Sequence, residues 1–282
     1  MTSVISARGL AKNYGATQAL KPSDLDIPLG RIVGVVGANG AGKTTLLNCF
    51  LGLLAYDGAL SVLGREPYRE RARLMHEVSY IADVATLPRW MKVHQLLDFV
   101  AGVHPRFDKN ACARHLARTK IRPEARVRTL SKGMVAQLHL AIVMAIDARL
   151  LVLDEPTLGL DILFRKSFYD ALISDYFDDS RTIIVSTHQV EEIEQILTHV
   201  IFIKDGEIVL DAAMDEVTER VLAVEVAADK LAAAEALRPI HRRTGLGRTT
   251  LIFDGQPAEA LSQFGAVRRL GLADIFIAKM QG

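Results

Sequence analysis

Short apolar runs alternate with stretches of helical periodicity between residues 4 and 210. Residues 31–37, 150–154 and 182–186 are apolar on both faces, which is typical of buried parallel strands separated by helices. This pattern predicts an α/β fold built on a parallel sheet.

Two other parts of the same region have a different pattern. Residues 4–27 and 58–63 are punctuated by turn residues and partly alternate, so we predict a small antiparallel β layer there. Residues 88–128 contain helical stretches without a strand, and we predict a mainly helical insert over about residues 88–148.

The pattern changes after residue 210, so we predict a first domain over residues 1–210 and a second over residues 211–282. Strands and helices alternate in the second part: strands at 220–226 and 249–253, short helices at 229–237 and 258–264, and a final amphipathic helix at 272–280. These elements predict a small α+β appendix. We interpret residues 238–248, with four arginines and a histidine, as a solvated turn.

The composition excludes several classes of protein. Half of the 282 residues are apolar and 24% are charged, so the chain is not a disordered protein. The formal net charge of +1 argues against binding by charge to nucleic acid, which is therefore not an expected partner. We interpret the two cysteines, Cys49 and Cys112, as buried thiols in a reducing cytosol. No apolar run approaches the roughly 18 residues of a membrane span.

A phosphate-binding loop follows the first buried strand. It has the form G-x-x-x-x-G-K-[ST] and consists of Gly37, Ala38, Asn39, Gly40, Ala41, Gly42, Lys43, Thr44 and Thr45. Such glycines let backbone N–H groups converge on phosphate oxygens, and the next helix presents its positive N-terminus. We expect Lys43 to reach the β- and γ-phosphates of a nucleotide and Thr44 to coordinate Mg²⁺. The alternative is a glycine-rich turn without a ligand.

Two acidic residues end the second buried strand. Asp154 can hold a magnesium ion, and Glu155 can polarise a water molecule against the γ-phosphate. Either residue alone could cap a helix. Together, after a phosphate loop, they predict nucleotide hydrolysis.

Three further residues have both an ordinary and a functional interpretation. Ser131 precedes a helical pattern and suits an N-cap. Asp161 suits a turn. His188 ends the third buried strand, where α/β sheets bind ligands, although a lone histidine is usually structural.

Taken together, these motifs resemble the ATP-binding subunit of a bacterial ABC transporter over roughly residues 2–210. The resemblance implies a P-loop NTPase core with an antiparallel β subdomain and a helical insert. It implies that ATP and Mg²⁺ bind and that Lys43, Glu155 and His188 act in hydrolysis. Residues 211–282 would then form an accessory domain.

The same resemblance implies further nucleotide contacts. Tyr14 matches the aromatic residue that stacks on adenine. Ser131 and Gly133 match the signature that contacts the γ-phosphate of ATP held by a second subunit. Asp161 matches the acid that crosses the dimer interface.

The chain departs from the family pattern at two places. The usual Leu-Ser-Gly-Gly-Gln signature has Lys132 and Met134 at its third and fifth positions, a form that resembles a branch of ABC-2-type exporters. Asp83 stands where the family usually has glutamine. We expect the Asp83 carboxylate to be a ligand of Mg²⁺. The alternative is that Asp83 merely begins a loop. Trp90 is either an interface residue or a packing residue of the insert.

The resemblance implies an ATPase subunit that powers a membrane transporter, and the signature favours an exporter. The expected partners are a second copy or a related ATPase subunit and a separately encoded permease. The expected location is the cytoplasmic side of the cell membrane, reached through the permease. The alternatives are a soluble ABC-type ATPase of DNA repair or translation and a regulator that binds nucleotide without hydrolysing it.

Overall fold

A computed structural model describes residues 3–82, 87–158, 160–245 and 248–281. In chain order the strands are β1 (Ser3–Tyr14), β2 (Thr17–Pro28), β3 (Ile32–Val36), β4 (Asp57–Val62), β5 (Val78–Ile81), β6 (Leu150–Asp154), β7 (Thr182–Thr187), β8 (His199–Lys204), β9 (Glu207–Ala213), β10 (Val221–Val226), β11 (His241–Gly245), β12 (Arg248–Asp254) and β13 (Gly265–Arg269). The helices are α1 (Lys43–Phe50), α2 (Arg71–Leu74), α3 (Val93–Val103), α4 (Lys109–Ala117), α5 (Lys132–Met144), α6 (Ile162–Ala171), α7 (Met214–Arg220), α8 (Leu231–Glu235), α9 (Ala258–Ser262) and α10 (Leu272–Gln281).

The central sheet has the strand order β5-β6-β7-β3-β8-β9. Neighbouring strands are parallel except for β9, which pairs antiparallel with β8 at the edge. The three apolar runs of the sequence form β3, β6 and β7, which lie side by side and are buried at every position. The predicted α/β fold is confirmed.

The two faces of the central sheet pack against different layers. On one face, Val33 and Val152 share a core with α1 and with the antiparallel sheet β2-β1-β4. On the other face, Leu151 and Phe202 pack with α6 and α10. Alternating side chains of a strand point to opposite faces, so a sheet covered on both faces is apolar throughout. The antiparallel layer agrees with the sequence analysis.

Helices α3, α4 and α5 form the insert between β5 and β6, with an apolar cluster of their own. Cys112 lies in this cluster, whereas Cys49 lies in the core under the central sheet. Both are buried free thiols, as predicted. Burial raises the pKa of Cys49 to about 11 and that of Cys112 to about 12. In the described parts of the chain, no helix combines the length and hydrophobicity that a membrane span requires.

The C-terminal region contains a third sheet, which is antiparallel and has the order β11-β12-β10-β13. Its succession β10-α8-β11-β12-α9-β13 is the split β-α-β arrangement of ferredoxin-like folds. Leu222 and Val224 face a core shared with α8 and α9. Val221 and Ala223 face the opposite way, into the core shared with α10 and the central sheet.

The interpretation of residues 238–248 as a turn is wrong in part. His241–Gly245 forms the edge strand β11, paired antiparallel with β12. This strand is exposed and rich in arginine, so it lacks the alternation that identifies a half-buried strand. Charged residues at sheet edges also oppose pairing with other chains. The domain boundary after residue 210 stays a prediction, because β9 continues through it to Ala213.

Candidate functional site

The phosphate loop connects β3 to α1 at the carboxyl edge of the central sheet. Gly40 and Gly42 have φ angles of 82° and 109°, in the left-handed region that favours glycine. A Cβ atom at Gly42 would lie 2.8 Å from the carbonyl oxygen of Ala19, and one at Gly37 would lie 2.6 Å from that of Ile203. The backbone packing of β2 and β8 therefore requires glycine at both positions.

Lys43 begins α1, and its ammonium group is held within the site. Nζ donates to the carbonyl oxygen of Gly37 at 2.9 Å and to that of Ala38 at 3.3 Å. It also lies 3.3 Å from Oε1 of Glu155. The residue is only 6% exposed, so the loop and the acidic end of β6 share one buried cation.

Asp154 ends β6 and is 1% exposed. Its Oδ1 accepts a hydrogen bond from the hydroxyl of Ser186, whereas Oδ2 has no hydrogen-bond partner among the described residues. A buried carboxylate oxygen without a donor is costly. A bound cation would satisfy it, and carboxylate oxygens are common Mg²⁺ ligands.

Glu155 has a φ angle of 47°, which is uncommon for a residue other than glycine. Its N–H group donates to Ser186, with 3.2 Å to the carbonyl oxygen and 3.1 Å to Oγ. Nδ1 of His188 lies 3.0 and 3.1 Å from the two carboxylate oxygens. Since an ionised carboxylate can only accept, Nδ1 carries the proton in this contact. Lys43, Glu155 and His188 thus form one cluster.

The residues present fit ATP with magnesium. Among the described residues, no group of three or more histidine, cysteine, aspartate or glutamate side chains could hold a metal ion. A magnesium ion would therefore depend on Asp154, the Thr44 hydroxyl, phosphate oxygens and water. Few protein ligands plus phosphates are usual for Mg²⁺ in nucleotide sites. Thr44 is exposed at the second position of α1, and it stays a predicted ligand.

Tyr14 lies at the end of β1, in the turn that leads to β2. Its side chain is 48% exposed, and Nζ of Lys12 lies 5.2 Å from the ring centroid. Ala19 of β2, in the same hairpin, contacts the phosphate loop. An exposed ring at the tip of this hairpin suits stacking on adenine, which stays a prediction.

Ser131 and Gly133 lie at the start of α5. The Ser131 hydroxyl accepts a hydrogen bond from the N–H group of Met134 at 3.2 Å, so the residue is the N-cap. A Cβ atom at Gly133 would meet nothing within 4 Å. Within the part of the chain that the structure describes, neither residue is hydrogen-bonded to the phosphate loop. A single chain therefore shows Ser131 in its ordinary role only.

Asp161 is the N-cap of α6, where Oδ1 accepts from the N–H group of Phe164 at 2.9 Å. Asp161 is exposed and does not join the cluster around Lys43. A position at the interface with a second subunit stays a prediction.

A polar network beside the cluster was not predicted from the sequence. It consists of Thr157, Arg165, Gln189 and Glu192. Arg165 donates to Glu192 and to Oε1 of Gln189, the latter at 2.7 Å. Thr157 donates to Oε2 of Glu192 at 3.2 Å. We call these four residues the Arg165 network. No pattern in the sequence marks them, although two of them lie within four residues of His188.

Two predictions concern the insert and the segment before it. Asp83 lies outside the described residues, so its role stays a prediction. Trp90 is 66% exposed, which excludes the interpretation as a packing residue of the insert.

The fold and the cluster together define a P-loop protein that hydrolyses a nucleotide, and comparisons with known proteins identify the family. Residues 20–158 match the family model described as "ABC transporter". The chain is 31% identical to Nod factor export ATP-binding protein I of Cupriavidus metallidurans, over 98% of this chain and 97% of that protein. It is 26% identical to the ABC transporter ATP-binding protein YtrB of Bacillus subtilis, over 99% of each. A solved structure of an ATP binding subunit of an ABC transporter matches with a TM-score of 0.68 and 21% identity, over 76% of this chain and 92% of that chain.

The chain belongs to the ABC transporter family and is an ATP-binding subunit with ATPase activity. The predictions of ATP as ligand and of hydrolysis are confirmed. ATP-binding subunits of this family work as dimers with a transmembrane permease. The relatives favour this function over a soluble ATPase of DNA repair or translation.

Proposed function

We propose that two ATP-binding subunits close head to tail on two ATP molecules and drive an exporter through a separately encoded permease at the cytoplasmic face of the cell membrane. The second subunit is another copy of this chain or a related one. The observation that carries the proposal is the cluster of Lys43, Glu155 and His188 beside the phosphate loop. Export is supported by the Lys132 and Met134 signature and by the similarity to a Nod factor export subunit.

Binding of ATP is expected to change the partner of Lys43. Its ammonium group now lies against two loop carbonyls and the Glu155 carboxylate. Phosphate oxygens carry more negative charge than carbonyls and would compete with Glu155 for the lysine. The competition would free the Glu155 carboxylate from its ion pair with Lys43.

Hydrolysis then needs a base and an anchor for that base. Glu155 would accept a proton from the attacking water and orient its oxygen toward the γ-phosphate. The Nδ1–H group of His188 holds the carboxylate at 3.0 and 3.1 Å, and the N–H group of Glu155 is itself fixed by Ser186. This arrangement requires the strained, left-handed backbone conformation of Glu155.

Asp154 and Thr44 would hold the magnesium ion, with Asp83 as a further expected ligand. When bound, the ion neutralises charge on the β- and γ-phosphates. The unpartnered oxygen of Asp154 supports this assignment.

The signature would complete the site from the second subunit. The hydroxyl oxygen of Ser131 accepts from Met134, so its O–H group remains to donate to a γ-phosphate. Gly133 leaves the start of α5 open for close approach. The positive end of this helix favours the phosphate as well.

The permease would dock on an exposed apolar surface of the insert. Trp90 is 66%, Phe99 52% and Val103 62% exposed. Phe99 and Val103 are four residues apart on α3, so they lie on one helix face. Exposed aromatic residues at a surface of this kind are typical of interface hot spots.

The test has two measurements. Purified full-length protein should hydrolyse ATP, and Glu155→Gln should trap a dimer when ATP is added. The chain purified from its own membranes in detergent should carry a polytopic permease that Trp90→Ala removes. Tyr68→Ala is the matched control, because Tyr68 is 53% exposed but lies outside the insert. Equal loss in both variants, or a chain that purifies with nucleic acid, would contradict the proposal.

A further inference from the structure

The last helix of the chain is capped by a residue of the ATP-binding region. Helix α10 begins at Leu272, and the preceding Gly271 has no side chain to serve as a cap. Instead, Oε1 of Glu194 accepts a hydrogen bond from the N–H group of Leu272 at 2.8 Å, across 78 residues of sequence. A Cβ atom at Gly271 would lie 3.3 Å from the same oxygen. A carboxylate there is favourable because the N-terminus is the positive end of the helix dipole.

The contact continues into the apolar core. Ile275 of α10 is fully buried in the cluster that contains Val190 and Ile193. The ring of Phe276 meets that of Phe202 of β8 edge-on, with the centroids 5.2 Å apart. Helix α10 therefore packs against the residues that directly follow His188.

We call residues 188–196, which begin with His188, the switch segment. At its start His188 contacts Glu155. In its middle Glu192 accepts from Arg165 and Thr157, two members of the Arg165 network. Near its end Glu194 accepts from α10. The segment thus joins the catalytic carboxylate to the C-terminal region.

The switch segment has little rigidity of its own. It consists mainly of two short 3-10 turns, Val190–Glu192 and Glu194–Ile196. Such turns have poor hydrogen-bond geometry and are seldom stable by themselves. The position of His188 must therefore depend on the elements packed against the segment.

Helix α10 is in turn fixed to the C-terminal sheet. Asp254 of β12 accepts from Nζ of Lys279 in α10 and from Nε of Arg220, each at 2.6 Å. Burial alone would raise the pKa of Asp254, but the hydrogen bonds and charges of Lys279 and Arg220 hold the pKa below its ordinary value. Direct hydrogen bonds therefore join the C-terminal sheet to α10 and α10 to the switch segment.

We propose that the C-terminal region positions His188 and Glu155 for hydrolysis through Glu194. The inference rests on the proposed function and adds its regulation, since any ligand or partner that moves the C-terminal sheet would alter hydrolysis by this route. Glu194 is a positioning residue because it touches neither the nucleotide loop nor the Lys43 cluster in the described structure.

The test separates this role from helix capping. Glu194→Ala removes both the hydrogen bond between the switch segment and α10 and the cap of α10. Adding Gly271→Ser gives α10 a cap of its own, and the shortened residue 194 leaves room for the serine Cβ. Glu194→Gln keeps an acceptor oxygen. Glu191→Ala is the control, because Glu191 is an exposed acid of the same segment.

The full-length Glu194→Ala/Gly271→Ser variant is expected to unfold at the wild-type temperature and to bind ATP as the wild type does. Its kcat should fall several-fold at unchanged KM. Amide hydrogen exchange in the switch segment should accelerate about 10-fold or more while α10 stays protected. Glu194→Gln should restore most of the protection, and Glu191→Ala should resemble the wild type.

Wild-type exchange in the switch segment of the double variant would overturn the inference. Full recovery of kcat by Gly271→Ser would also overturn it, since Glu194 would then be only a cap. If the wild-type chain showed no ATP hydrolysis, the proposed function would fail, and hydrogen exchange would still decide whether Glu194 holds the segment.

Discussion

The two halves of the proposed ATP site differ in how much of each is assembled within one chain. In the phosphate-loop half, Lys43 and His188 both already contact Glu155, at distances of 3.0 to 3.3 Å. In the signature half, Ser131 and Asp161 each cap their own helix and contact no member of that cluster in the described structure.

The difference follows from where the residues lie in the fold. Lys43, Glu155 and His188 follow β3, β6 and β7, which are neighbours in a parallel sheet. Their carboxyl ends meet at one edge, which is where α/β sheets bind ligands. Ser131 and Asp161 begin helices outside the sheet. Each is held in place by a hydrogen bond within its own helix, so neither position depends on the phosphate loop.

The largest effect is expected from Glu155→Gln in the phosphate-loop half. The amide keeps the shape of the side chain and an acceptor for His188 but removes the base. We expect kcat to fall by about 10²- to 10⁴-fold, with ATP binding retained and an ATP-dependent dimer trapped. Phosphate release and size-exclusion chromatography measure the two outcomes. Undiminished turnover would place the base elsewhere.

Lys43→Ala should remove binding as well as hydrolysis. Lys43 is the only cation of the loop, and it also bridges Gly37 and Glu155. We expect ATP affinity to fall by roughly 100-fold or more, from the loss of charged hydrogen bonds. Titration with labelled ATP measures it. Lys132→Ala is the matched control in the signature half and should leave the affinity of a single chain unchanged. Near-normal affinity of Lys43→Ala would contradict the assignment of the loop.

A histidine in the signature half should make the folded protein less stable at acidic pH. Burial lowers the pKa of His139 in α5 to about 4, from an ordinary value of 6.5. The folded protein therefore binds fewer protons than the unfolded chain between these values, and stability is lost as pH falls from 6.5 toward 4. The loss is at most about 3 kcal/mol. Urea unfolding at pH 7 and pH 5 should show a smaller difference for His139→Leu than for the wild type. Equal differences would contradict this prediction.

The smallest effect decides the role of Ser131. If Ser131 is only an N-cap, Ser131→Ala costs about 1 kcal/mol of stability and Ser131→Asp, another good cap, resembles the wild type. If Ser131 also contacts a γ-phosphate across the dimer, Ser131→Asp repels it. We expect the second result: near-normal stability for Ser131→Asp, and loss of the ATP-dependent dimer in the Glu155→Gln background. A stable Ser131→Asp variant that still dimerises would leave the serine as a cap alone.

Much of the phosphate-loop half could be predicted from the sequence. Strands buried on both faces are continuous apolar runs, and the residues that follow them are the ones that a parallel sheet brings together. The caps at Ser131 and Asp161 were also predictable as helix starts or turns, because an N-cap is a local interaction between residues three positions apart.

Other features could not be predicted from local pattern. The exposed strand β11 lacks alternation because neither face of it is well buried. The Arg165 network and the cap of α10 by Glu194 join residues that are far apart in sequence and whose spacing follows no period.

The sequence by itself determined the family, the chemistry of the loop and the residues at the ends of the central strands, because short-range motifs and buried runs encode them. The tertiary structure alone decided that Glu192 joins the switch segment to Arg165 and Thr157 and that Glu194 joins it to α10. It also decided that the C-terminal region shares a core with the ATP-binding sheet. The physical reason is that a hydrogen bond across 78 residues depends on how the intervening elements pack, and this packing leaves no local signature in the chain.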